Sequence, residues 1–142
     1  MRRLTIVCVV AALAACSGAT PSPAGWQPLA GTTGKWVNGT AAGRQTYAYG
    51  KERFAGTLQE LAQREIVNNA LHKTKFVKSD VFAPCPGIAA IATFAGGGRT
   101  VQDAFAVVNG YAITVRYDRP ATALDAPAAV AAMQRALCVA PA

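Results

Sequence analysis

Apolar and polar positions alternate most clearly near the end of the chain, where Tyr111, Ile113, Val115 and Tyr117 interleave with Ala112, Thr114, Arg116 and Asp118. A period of two predicts a strand with one buried and one more polar face. Residues 75–82, 88–94 and 101–108 read as three further strands, the last more apolar than 111–117 and therefore more central. Gly96-Gly97-Gly98 and Asn109-Gly110 separate the last three strands, and the Asn-Gly pair suits a type I′ hairpin. Upstream, residues 35–37, the Asn38-Gly39 turn and residues 44–50, with Tyr47 and Tyr49 on one face, predict another hairpin.

Two segments follow helical spacing instead. Thr57 with Glu60 three residues later forms a capping box. Leu58, Leu61, Ala62, Ile66, Ala70 and Leu71 then share a face, while Gln59, Gln63 and Arg64 point away. Asp125 is placed to cap a second helix over 126–137, with Pro127 tolerated in its first turn and Val130, Met133 and Leu137 on its inner side. The order ββ-α-ββββ-α predicts an α+β domain over residues 35–142, an antiparallel sheet of about six strands covered by two helices. Phe54-x-Gly56-Thr57-Leu58-x-Glu60-Leu61-Ala62, the strands around Val108-Asn109-Gly110-Tyr111 and the closing helix resemble the PsbP-like fold of small bacterial lipoproteins and secreted proteins. These motifs describe packing and turns, so the resemblance implies a fold and carries no catalytic residue with it. A cystatin-like or ferredoxin-like arrangement is the alternative.

The N-terminus has a different pattern. Arg2 and Arg3 precede an apolar stretch over residues 4–13, and small residues lead to Cys16 in Leu13-Ala14-Ala15-Cys16. The stretch is too short for a permanent membrane span and has the length of a signal peptide. The combination resembles the signal of bacterial lipoproteins, which implies removal of residues 1–15, a diacylglyceryl thioether on Cys16, and a membrane anchor made of lipid. Ser17 after it implies transfer to the outer membrane, facing the periplasm, in a Gram-negative host. Residues 16–34, rich in Ser, Gly, Ala, Thr and Pro, read as a tether in which Trp26 either rests at the headgroups or docks on the domain.

The chain holds 14 Lys and Arg against 7 Asp and Glu, a formal charge of +7 that falls to +5 when Arg2 and Arg3 leave with the signal. A moderate basic balance suits solubility or acidic polymers, and the envelope address argues against nucleic acid. With Cys8 removed and Cys16 acylated, Cys85 and Cys138 are the remaining thiols and are expected to pair in an oxidising compartment. Such a bridge, closing about fifty residues, contributes roughly 4 kcal/mol in the chain-entropy model.

Candidate chemistry is sparse. The single histidine, His72, sits beside Lys73 near a helix end and has no evident acid partner. Metal-ligand spacing is absent, so neither metal nor cofactor is expected. Glu60 and Asp125 are accounted for as caps, and Asp80, Asp103 and Asp118 as outward strand positions or strand ends. Gly96-Gly97-Gly98-Arg99-Thr100 lacks the Gly-Lys-Ser/Thr ending of a phosphate loop. Lys73, Lys75 and Lys78, with Arg64 upstream, form a possible anion-binding patch or the protective lysines of an edge strand. The expectation is a non-catalytic, membrane-anchored envelope lipoprotein that serves as a binding or assembly module for another envelope protein or an anionic polymer. The alternative is a small-ligand carrier or hydrolase with a site between sheet and helices, near Tyr47, Tyr49, Phe105 or Tyr111.

Overall fold

The computed structural model describes residues 20–71, 74–85 and 87–138, with the side chains of 70–71 and 82–88 outside the description. Its elements are β1 (Gln27–Pro28), β2 (Lys35–Asn38), β3 (Gln45–Arg53), α1 (Leu58–Leu71), β4 (Lys75–Cys85), β5 (Gly87–Gly96), β6 (Arg99–Val108), β7 (Tyr111–Pro120) and α2 (Pro127–Cys138), with a short 3-10 turn at Ala41–Gly43. The strands form one antiparallel sheet in the order β1-β2-β3-β7-β6-β5-β4. The protein is therefore α+β.

Local chemistry accounts for most element ends. Asn109 and Gly110 both have positive φ, 50° and 77°, and Val108 pairs with Tyr111 across them, the geometry a type I′ hairpin requires. Gly97 and Gly98 make the matching two-residue turn between β5 and β6. At the start of α1 the Glu60 N–H donates to Thr57 Oγ1 at 3.2 Å and the Thr57 N–H donates to Glu60 Oε2 at 2.7 Å, a reciprocal capping box. Asp125 differs from expectation: its carboxylate accepts from Arg119 Nε at 2.6 Å. The chain entering α2 is held instead by the Tyr117 hydroxyl, which accepts the Ala126 N–H at 2.9 Å.

Side-chain parity places the two helices on opposite faces of the sheet. Ile113, Val115 and Tyr117 of β7, Ala104 and Ala106 of β6 and Tyr47 of β3 join one core with Ala129, Ala132, Met133, Ala136 and Leu137 of α2. The alternate positions Val101 and Phe105 of β6, Ala90, Ala92 and Phe94 of β5 and Ala112 of β7 join a second core with Leu61 of α1. Strands β5 and β6 are thus apolar on both faces, as interior strands of a three-layer arrangement must be. Alanines on α2 and on the strands beneath it permit close approach of helix to sheet.

Seven strands form where about six were expected, because residues 20–34 are not a free tether. Pro23 and Trp26 are buried, β1 pairs with β2, and Trp26 packs edge-on against Tyr117 with ring centroids 6.1 Å apart. Arg135 of α2 donates to the Ser22 carbonyl at 3.2 Å. Prolines in this stretch exclude a long strand, yet two residues suffice to extend the sheet.

Candidate functional site

Helix α1 packs over β4, β5 and β6, reaches β7 at Ala112 and Arg116, and leaves the same face of β3 and β2 open. The step between helix and bare sheet forms an open cleft of about 370 Å³. Small positions on the strands, Ala48, Gly50 and Thr114, make its floor, Glu65 and Asn68 of α1 its wall, and Lys35 of β2 and Arg116 of β7 its cationic groups. Gly50 matters here, since a Cβ at that position would lie 2.9 Å from Thr114 Oγ1.

A buried polar network forms the inner wall. Asp103 of β6 and Arg116 of β7 are directly opposite in register. The guanidinium engages the carboxylate with two parallel bonds, Nε to Oδ1 and Nη2 to Oδ2, each 2.8 Å. Asn69 of α1, also buried, donates from Nδ2 to Asp103 Oδ2 at 2.5 Å and to the Glu65 carbonyl at 2.9 Å, and its Oδ1 accepts from Arg116 Nη2 at 3.2 Å. Thr74 Oγ1 donates to the Asn69 carbonyl at 2.7 Å. Both Asp103 oxygens are thus engaged, which suits the carboxylate to hold Arg116 in place. Arg116 Nη1 donates to no acceptor among the described residues, and the side chain is 39% exposed. Its charge is stabilised first by the Asp103 hydrogen bonds, which raise its pKa further. Arg116 also lines a second cleft of about 420 Å³ with Thr74, Gly97, Arg99 and Asp118, where Arg99 Nε donates to Asp118 Oδ1 at 2.8 Å.

Burial pushes the Glu65 carboxyl above its ordinary range, the charge of Asp103 adds to the effect, and Arg64 and Arg116 oppose it. A carboxyl with a raised folded-state pKa binds more protons folded than unfolded. The fold then loses stability as pH rises from the unfolded-state value through the folded-state value. Glu65→Gln is accordingly expected to raise the melting temperature at neutral pH and to leave it unchanged well below the unfolded-state value. Thermal melts across that range check the sign, and a lower neutral-pH melting temperature would contradict it.

The residues singled out from sequence distribute unevenly around this site. Phe105 borders the cleft, whereas Tyr47 is buried in the α2 core with the Tyr49 side chain packed against it, and Tyr111 lies under Lys51 and Arg53, 4.8 and 5.4 Å from its ring. Asp103 is buried, which corrects its reading as an outward strand position. The register shift in β4 leaves Lys75 opposite Ala95 and Lys78 opposite Thr93, on one face of the strand. Lys75 and Lys78 are exposed on β4, Lys78 pairs with Asp80 at 2.9 Å, and Arg64 pairs with Glu52 of β3 at 2.5 Å, toward the other side of the sheet. Lys73, His72, Cys16 and the side chain of Cys85 lie outside the described residues. Cys138 ends α2, which packs beside β4, the strand that carries Cys85.

One signal for the network was available in the sequence. Counting back from the two-residue Asn109-Gly110 turn pairs Asp103 with Arg116, and Asp103 shares its face with Val101 and Phe105. An acid on the buried face of an interior strand needs a cation opposite. Among the described residues no three His, Cys, Asp or Glu side chains converge on a common point, and no helix is long and apolar enough to cross a membrane. No protein-family model matches the chain, and no curated protein matches it.

Proposed function

We propose that this protein is a lipid-anchored, non-catalytic envelope lipoprotein whose domain binds an acidic group of another envelope protein or an anionic polymer in the cleft beside α1. The observation that supports it most is the Arg116 guanidinium, fixed by Asp103 and Asn69 while its Nη1 donors remain available to a carboxylate or phosphate. Lys35, Asn68 and Thr114 around the same cleft add one charge and two polar groups. Cys16 supplies the lipid and sets the location, at the outer membrane facing the periplasm in a Gram-negative host. The α+β order and the closing helix support a PsbP-like reading of the domain. A small-ligand carrier is the second reading, favoured by a cleft of about 370 Å³ bordered by Phe105.

A photo-crosslinking residue at Asn68, in the full chain in its native host, tests this reading. One recurrent envelope protein is expected, captured from position 68, not from exposed Leu124, and lost with Cys16→Ser. Capture of no protein would narrow the reading to the anionic polymer or move it to a small ligand. Continued membrane retention of Cys16→Ser would remove the lipid anchor.

A further inference from the structure

The two edges of the sheet are unlike. β1 closes one edge with two residues, one of them Pro28, which lacks an N–H for another strand. β4 closes the other with eleven residues, and its outer side pairs with no strand among the described residues. Natural proteins usually blunt such an edge with charge, a bulge or a covering segment. β4 has a register shift at Val77, and it also displays large apolar side chains, with Phe76 48%, Val77 56% and Val81 74% exposed.

We propose that the outer edge of β4 pairs antiparallel with β4 of a second copy of this chain, about a two-fold axis through Ser79. That axis sets Lys78 of each copy opposite Asp80 of the other and Val77 opposite Val81. Axes through the neighbouring residues are worse: one at Asp80 opposes two carboxylates, and one at Lys78 opposes two ammonium groups, each a repulsive cross-strand pair. Lys78 and Asp80 lie on the α2 side of the sheet, paired at 2.9 Å within one copy. The second copy completes a ring of four charges that alternate in sign. Ser79 and Val81 lie on the α1 side, opposite Ala92 and Ala90 of β5, so Val81 gains an apolar neighbour across the axis. The bulge at Val77 turns the strand away beyond the paired stretch, which limits pairing to residues 77–81 and leaves Lys75 in solvent. The result is a short isologous interface that joins two sheets into one.

Ser79→Cys in the full chain reads this directly, because two cysteines facing each other on the axis have Cβ atoms close to disulfide spacing. Mild oxidation followed by a non-reducing gel is expected to give at least about fivefold more covalent dimer from Ser79→Cys than from Leu124→Cys, with the unsubstituted chain as baseline. On the Ser79→Cys background, Lys78→Asp or Asp80→Lys alone lowers the yield roughly fivefold, because the axis counts each repulsion twice, and both changes together restore it. These side chains are more than half exposed, and equal melting temperatures establish that the variants fold. A yield no higher than that of Leu124→Cys overturns the proposal. So does failure of the double reversal to restore dimer, or capture of a different protein at position 79. The cleft beside α1 is a separate surface, and its crosslinking result stands whichever way this one falls.

Discussion

Asp103→Ala is expected to lower the unfolding free energy by about 2–3 kcal/mol, read by urea denaturation at neutral pH. The change removes both bonds to Arg116 and one of the two acceptors of Asn69 Nδ2, and leaves a half-buried guanidinium without its carboxylate and one N–H of a buried amide unpaired. Breaking a fully buried pair costs about 3–5 kcal/mol, and partial exposure of Arg116 reduces that through solvent screening. Replacement of both partners by apolar residues, Asp103→Leu with Arg116→Met, is expected to recover more than half of the loss, because no unpaired charge remains. A double variant as unstable as Asp103→Ala would show that packing against α1, rather than the charge left unpaired, sets the cost. The double variant also removes the donor proposed to meet an acidic partner, so crosslinking at Asn68 should fail in a chain that still folds.

Trp26→Ala is the second large expected effect, about 3 kcal/mol or roughly 10 °C in melting temperature, in the usual range for truncation of a buried aromatic in a domain of this size. Trp26 is 8% exposed and sits against Tyr117, the residue whose hydroxyl receives the Ala126 N–H at the start of α2 and donates to Gln45 Oε1 at 2.5 Å. Loss of the indole therefore opens a cavity beside the contact that links β7, β3 and α2. A melting temperature unchanged within a degree or so would mean that residues 20–34 act as a tether after all. Comparison with Leu61→Ala, which empties the other core, would show whether the two faces of the sheet unfold together.

Both predictions rest on residues whose roles emerge at different levels. Tyr117 is readable as a buried strand position, because it alternates with Arg116 and Asp118, but its hydroxyl as the cap of α2 depends on where the chain returns. Trp26 lies among prolines and small residues, a composition that signals extended chain and gives no sign that the sheet has an open edge for β1. Asp103 reads as an outward position, since a single acid in an apolar run is usually exposed. Its register partner is recoverable from the Asn109-Gly110 turn, whereas Asn69, 34 residues away, is not. Thr57 and Glu60 behave as read, since a capping box is closed within four residues.

Interactions within a few residues of one another were determined by the sequence itself: the hairpin at Asn109-Gly110, the cap of α1, the alternation in β7 and the helical stretch that ends at Cys138. Each depends on backbone conformations and side-chain periods that the local residues set with little outside help. Tertiary structure alone decided that α1 and α2 take opposite faces, because both faces of β5 and β6 are apolar and each needs a cover. It also decided that β1 joins the sheet, and that α1 leaves beside it a cleft walled by Glu65, Asp103 and Arg116. Such features are sums over residues distant in the chain, and their energies exist only once the sheet has brought those residues together.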